Sequence, residues 1–199
     1  MAELSLDAKV VSLHDALDRA DIAHAFGGAI ALGYYAEPRV TVDIDVNVFV
    51  PVAGAADVAA ALDPLGIPWD PPSDALERDG QCRLRWGRNP VDLFFEYDEV
   101  HQAFAQRSRM VPFQAGTIPV LAPEHLMVCK AVFDRTKDWL DLEQMMIYVD
   151  YLEADEVRRW LAHIVGTADQ RYRRADELLA RREPSTEPNR PIDWPPRPH

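Results

Sequence analysis

The sequence predicts an α+β protein: a small mixed sheet flanked by helices, followed by a C-terminal helical bundle. Three observations carry that prediction. Apolar and polar residues alternate along PRVTVDIDVNVFV (38–50), the period-two signature of a strand with one buried face. Two further strand-like runs, QCRLRW (81–86) and VDLFFEY (91–97), stand on either side of GRNP and read as a hairpin. After Pro123 the apolar residues change to helical spacing and keep it for the rest of the patterned chain.

Taken in order, Leu6, Val10, Leu13 and Leu17 recur at helical spacing, and Asp21 breaks the pattern before a short apolar strand, IAHAF (22–26). Gly27 and Gly28 come next, so AIALGYY starts a short helix at a strand-to-helix turn where backbone amides point outward. The alternating strand over 40–50 is the fourth element of this series. ADVAAALDPLG (56–66) is a helix ended by Pro64 and Gly66, and PWDPPSD (68–74) is a proline-dense loop. The hairpin, a helix over Glu99 to Gln106 and a strand at GTIPVL (116–121) complete a core placed at 1–122. Four helical stretches begin at Glu124, Asp138, Ala154 and Gln170 and make a helical region over 123–183. The remainder, 184–199, is a proline-rich tail that cannot sustain a helix.

Composition limits the function. With 199 residues and 48% hydrophobic content, the chain can fill a substantial core. A formal charge of −12 argues against broad, nonspecific neutralisation of nucleic-acid phosphates. Neither a membrane-length apolar run nor a signal-peptide pattern is present, which predicts a cytoplasmic protein with no membrane partner. Cys82 and Cys129 have no metal-ligand spacing and read as reduced thiols. Lysine is scarce: the chain has Lys9, Lys130 and Lys137 against eighteen arginines.

On an ideal strand, Val40, Val42, Ile44, Val46, Val48 and Val50 share the core face, while Thr41, Asp43, Asp45, Asn47 and Phe49 share the other. Two carboxylates at i and i+2, roughly 7 Å apart, repel each other and call for compensation. Mg²⁺ supplies it well, because it prefers one or two carboxylates together with substrate phosphate oxygens. Asp92 alternates in the same sense on VDLFFEY; if the strands are neighbours, three carboxylates converge. The bland reading is a sheet with one wet face. Glycine turn, paired acids and third acid together describe nucleotidyl transfer, with the turn holding a triphosphate, Asp43 and Asp45 the metal, and Asp92 either taking the proton of an attacking hydroxyl or sharing a second metal.

The stretch GGAIALGYYAEPRVTVDIDV resembles the signature of the DNA polymerase β nucleotidyltransferase superfamily, a glycine pair ahead of a strand carrying two metal-binding acids. It is similar in particular to the AbiEii and MenT branch of bacterial toxin nucleotidyltransferases, whose first motif carries an Arg and a Ser or Thr before the acids, here Arg39 and Thr41. A second block, VLAPEHLMVCKAVFDRTKDWLDLEQMM, resembles that group's later motif. The resemblance implies a polymerase β-like core, Lys130 as the nucleotide-binding lysine with Asp141 orienting it, and Lys137 and Asp138 as the intervening pair. Either Asp138 or Asp141 fills the orienting role. The bland reading of this block is a set of surface salt bridges, since Lys137 and Asp141 are four apart on one helix.

The same resemblance implies a Mg²⁺-dependent toxin of a toxin–antitoxin pair that transfers NMP from NTP to the 3′ acceptor end of tRNA, with a cognate antitoxin as partner. Gly27, Gly28, Arg39, Lys130 and Lys137 then contact the nucleotide, and Thr41 is a possible phosphosite through which such enzymes are silenced. Arg83, Arg85, Arg88, Arg107, Arg109 and the arginines between 171 and 182 offer a basic path for RNA, with a solvated helix face as the alternative for the last group. Two other functions fit the residues: a nucleotidyltransferase acting on a protein side chain or an aminoglycoside-like small molecule, and a noncatalytic partner that recognises a basic protein through its acidic face.

Overall fold

The computed structural model describes residues 3–71 and 75–181. These residues form two compact units. The first comprises the chain up to Ala31 together with Arg39–Leu121, and the second takes in Leu32–Pro38 and the chain from Ala122 onward.

The first unit is built on a six-stranded mixed sheet. Its strands are β1 (His24–Phe26), β2 (Ile44–Pro51), β3 (Gln81–Trp86), β4 (Asn89–Glu96), β5 (Arg109–Phe113) and β6 (Gly116–Val120). They lie in the order β3-β4-β2-β1-β6-β5. The β2–β4 pair is parallel, as is β1–β6; the β1–β2, β3–β4 and β5–β6 pairs are antiparallel. On the central strands the alternation in sequence becomes alternation in burial. Ile44, Val46 and Val48 of β2 and Val91, Leu93 and Phe95 of β4 are fully buried, whereas Asp45 and Asp92 between them keep partial exposure.

Helices cover this sheet. Ser5 caps α1 (Leu6–Arg19) by accepting from Ala8 N, and Val10, Leu13 and Leu17 of that helix are buried. A short helix, α2 (Gly28–Leu32), leaves the glycine turn. Next, α3 (Ala55–Leu62) packs against α1 and gives way to a 3-10 turn at Asp63–Leu65 that ends at Gly66. A five-residue α4 (Ala75–Asp79) precedes the hairpin, and α5 (Glu99–Arg107), capped by Asp98, packs on β2 and β4.

In the second unit, α6 (Pro123–Phe133), α7 (Thr136–Tyr148), α8 (Ala154–Val165) and α9 (Gln170–Ala180) pack with α6 central, in contact with the other three. Leu126, Met127, Trp139, Leu142, Met145, Val157, Leu161 and Leu179 form its core. No helix among the described residues is long and apolar enough to cross a membrane. Cys82 is buried and Cys129 half-buried, and neither is in a disulfide.

Three expectations need adjustment. The strand expected over 40–50 starts at Ile44, not at Val40; Val40 is 95% exposed and Val42 54%, so the valines ahead of the acids belong to an extended lead-in rather than to the core face. The hairpin turn is two residues, Gly87 and Arg88, and Pro90 lies inside β4 opposite Arg85. β5 and α4 were not expected, β5 because Pro112 interrupts its strand pattern and α4 because it is a single turn. The PWDPPSD loop lies partly, and the proline-rich tail wholly, outside the described residues.

Candidate active site on the sheet

The acidic face is set by strand register. In the parallel β2–β4 pair Asp45 stands opposite Asp92, and in the antiparallel hairpin Asp92 stands opposite Arg83 of β3. Cross-strand partners share a sheet face, so Arg83, Asp92 and Asp45 form one row across three strands. Asp43 lies just ahead of β2, two residues from Asp45 and half-buried. Its segment is fastened locally: Asp43 N donates to the Thr41 hydroxyl at 3.2 Å, and that hydroxyl is 3.3 Å from Asp43 O. The Thr41 side chain thus closes a small turn around the backbone of Asp43.

A second anchor acts from below. Lys9 is 1% exposed, and its ammonium donates to Asn89 Oδ1 at 2.7 Å, to Trp86 O at 2.8 Å and to Glu3 Oε1 at 2.9 Å. Asn89 passes the connection on, its amide donating to Val42 O at 2.8 Å. The carbonyl next to Asp43 is thereby tied to α1 and to the hairpin turn.

The glycine pair touches the acids directly. Gly27 N donates to Asp45 O at 2.9 Å. Gly28 has φ +52°, a left-handed conformation, and a Cβ there would land on the Asp45 carboxylate. Only a residue without a side chain lets the turn sit against this carboxylate.

Arg83 dominates the electrostatics. Its Nε and Nη2 donate to the two oxygens of Asp92, each at 2.7 Å, in a bidentate fork. The pairing with Asp92 raises the Arg83 pKa, and the charges of Asp43 and Asp45 add to the rise, so all three carboxylates act on one guanidinium. Beneath the row the Cys82 thiol is pushed up to about 11, first by burial and then by the charge of Asp92. Among the described residues no three carboxylate, imidazole or thiol groups already stand as a metal cluster. Arg83 engages both Asp92 oxygens.

The donor set nevertheless fits Mg²⁺. It consists of carboxylate oxygens, a cationic group already lies in their combined field, and the glycine turn leaves bare backbone beside Asp45.

The second motif block lies in the helical unit. Lys130 on α6 is 4% exposed and donates to Asp141 Oδ2 on α7 at 2.6 Å, while Asp138 Oδ1 is 3.9 Å away. Asp138 is held mainly by Arg135, whose Nε and Nη2 donate to it at 2.6 and 3.1 Å. The direct partner of Lys130 is therefore Asp141. Lys137 is exposed on α7, and Arg39 is exposed on the lead-in to β2.

Several of the arginines expected to guide RNA are engaged in ion pairs. Arg171 forks onto Asp169, and Arg83 onto Asp92. Arg174 lies over the Trp139 ring. Arg173 and Arg181 are exposed.

Sequence reasoning placed Arg83 on the RNA path and missed its grip on Asp92, and it gave Lys9 and Asn89 no role. The signal for the first was present, since a two-residue turn at Gly87–Arg88 fixes 83 opposite 92 by counting.

Compared as sequence, the chain matches no protein-family model and no curated protein. Compared as structure, it superposes on the antibiotic-resistance factor ANT(2'')-Ia with a TM-score of 0.57 and 14% identity, over 86% of this chain and 95% of that one. The lincosamide antibiotic adenylyltransferase LnuA aligns with a TM-score of 0.51 and 12% identity, over 72% of this chain and 98% of that one. This chain has the nucleotidyltransferase fold. A candidate nucleotidyltransferase from Thermotoga maritima agrees, at a TM-score of 0.50 and 15% identity over 78% of this chain and 91% of that one.

Proposed function

We propose that this chain is a cytoplasmic, Mg²⁺-dependent nucleotidyltransferase that moves NMP from an NTP to an acceptor hydroxyl with release of pyrophosphate. One observation carries the reading: Asp45 stands in register with Asp92, with Gly28 packed against the Asp45 carboxylate where no other residue fits. A nucleotidyltransferase fold supplies the context.

Asp43, Asp45 and Asp92 are the residues that would hold Mg²⁺. Bound there, the ion would neutralise charge on the phosphates of the nucleotide. The backbone of Gly27 and Gly28 faces the phosphates, with no side chain in the way. Asp92 accepts the proton of the acceptor hydroxyl as its oxygen forms a bond to the α-phosphorus; the bond from the α-phosphorus to the bridging oxygen breaks, and pyrophosphate leaves with the electron pair. Within the helical unit, Asp141 holds the Lys130 stem in one rotamer and leaves the ammonium two further N–H donors for phosphate oxygens. Lys137 and Arg39, both exposed, are the other cationic residues that the resemblance assigns to the nucleotide.

For the acceptor, the resemblance of residues 27–46 and 120–146 to AbiEii and MenT toxins favours the 3′ end of tRNA, with translation blocked and a cognate antitoxin as partner. Thr41 is the candidate point of silencing. A phosphate on its hydroxyl would break the turn at Asp43 and add negative charge beside the acids. A second reading has its own support. ANT(2'')-Ia is an antibiotic-resistance factor and LnuA an antibiotic adenylyltransferase, and a chain of net charge −12 attracts a cationic drug.

Incubation with Mg²⁺, each labelled NTP, and total tRNA or an aminoglycoside panel separates the readings. Label on RNA supports the toxin, and label on a drug or on protein supports the second acceptor class. Asp43→Ala is expected to remove transfer to below roughly one part in 10³ of wild type, the scale of losing a principal electrostatic contributor. Absence of transfer in the wild-type chain would leave the acidic face as a noncatalytic binding surface.

A further inference from the structure

β3 is one of the two edge strands of the sheet, and Gln81, Arg83 and Arg85 stand exposed on one face of it. Arg83 has no structural duty that the strand does not already perform. The β3–β4 pair runs in unbroken register from Gln81–Phe94 to Trp86–Asn89, and Cys82 and Leu84 anchor the opposite face in the core. Yet the guanidinium takes both oxygens of Asp92, with Arg83 61% and Asp92 14% exposed at the side chain. The guanidinium side of the fork faces solvent, where dissolved ions reach it.

Charge explains why it is there. Asp43, Asp45 and Asp92 bring three negative charges to one face, and with nothing opposing them the face would repel itself. Arg83 offsets part of that charge, and all three carboxylates act on its guanidinium. A divalent ion on the same carboxylates would compete with the guanidinium for the Asp92 oxygens and be repelled by it.

We infer that Arg83 is a resident counter-ion that occupies Asp92 until a divalent cation displaces it, and so sets the metal affinity of the site and the availability of Asp92. The inference rests on the reading of Asp43, Asp45 and Asp92 as metal ligands. It makes Arg83 a positioning residue. While the fork is closed, each Asp92 oxygen already accepts an N–H, which lowers its capacity to take a metal or a proton; once open, both are released. A cation-binding face is thereby kept from self-repulsion in its resting state.

The experiment titrates Mn²⁺ alone into the full-length chain and reads free Mn²⁺ by electron paramagnetic resonance, without nucleotide. Arg83→Gln is expected to bind Mn²⁺ about tenfold more tightly than wild type at low salt, since a competing charge in direct contact is removed. Arg85→Gln is the control. It removes the same charge from the same strand face but from a residue opposite Pro90, and is expected to change affinity by less than about twofold at ordinary screening. Equal or weaker Mn²⁺ binding by Arg83→Gln would overturn the inference, as would equal tightening by both variants. Asp43→Asn separates this from the reading beneath it. If Asp43→Asn loses Mn²⁺ while Arg83→Gln fails to tighten, only the counter-ion role falls; if Asp43→Asn binds like wild type, the metal assignment falls and takes Arg83 with it.

Discussion

At the residue scale, two glycines with similar backbone conformations make unequal demands. Gly28 (φ +52°) and Gly66 (φ +69°) both sit in the left-handed region, but a Cβ at Gly66 meets nothing within 4 Å, whereas one at Gly28 meets the Asp45 carboxylate. Alanine at Gly66 carries a conformational penalty alone, about 1 kcal/mol. At Gly28 the same penalty is joined by a collision with a carboxylate that strand β2 holds in place, so one of the two must move. Gly28→Ala is expected to cost about 2–4 kcal/mol in urea denaturation, and to lower Mn²⁺ affinity because Asp45 is the group displaced. Gly66→Ala should leave metal affinity unaltered. Equal losses of stability in the two variants would show that the turn does not lean on Asp45.

At the element scale, much of the architecture could be read from the chain, and the failures have physical causes. Residues that alternate or recur over eight or more positions, as in α1, β4 and α6 to α9, announce themselves because burial repeats the same choice many times. The start of β2 did not, since Val40 and Val42 continue the alternation in sequence after the sheet has stopped offering a partner. Pairing with β4 begins only at Ile44, and pairing with β1 at Val46. In the hairpin, counting GRNP as a four-residue turn shifts the register by two and places Arg85, not Arg83, opposite Asp92; the tighter turn is possible because Gly87 takes φ +62°. The pairing of Asp45 with Asp92 depends on strand order, which no local pattern contains. Nor does any local pattern reveal the strut from Lys9 through Asn89 to Val42 O, whose members come from three separate parts of the chain. Lys9→Met would remove the donor and leave Asn89 Oδ1 and Trp86 O buried without it, at a cost of about 2–4 kcal/mol. Glu3→Gln, altering the exposed member of the same group, should move the urea midpoint much less than Lys9→Met does. A urea midpoint for Lys9→Met within about 0.5 kcal/mol of wild type would mean the strut is incidental, that being the spread of ordinary surface changes.

At the scale of the whole molecule, the titrating groups that burial and pairing perturb point to a stability that declines in acid in two separate windows. His24 and His101 are held below the ordinary histidine value, in both cases chiefly by burial. His24 has Ile22 O at 2.8 Å from Nδ1 and faces His14, whose Nδ1 is 3.0 Å from its Nε2; Asp18 pulls the other way. His101 lies near Asp98 and Glu96, whose charges offset part of the burial effect. For each, the unfolded chain takes up its proton first as pH falls, so the folded state binds fewer protons than the unfolded one just below pH 6.5. Stability therefore rises with pH through that window and is fully present above it. The second window belongs to carboxylates. Asp169 is brought down to about 2 by the Arg171 guanidinium and backbone N–H, and Glu3 is lowered by the Arg88 backbone N–H and the Lys9 ammonium. Their contribution is present above about pH 4.5 and is lost as pH falls toward the folded values. Urea midpoints measured from pH 8 to pH 3 are expected to fall first as pH drops below about 6.5, then again below about 4.5. His24→Phe with His101→Phe should flatten the first descent and leave the second. A wild-type midpoint unchanged from about pH 8 to about pH 5 would contradict the histidine assignment. Survival of the first descent in the double variant would place it on other groups.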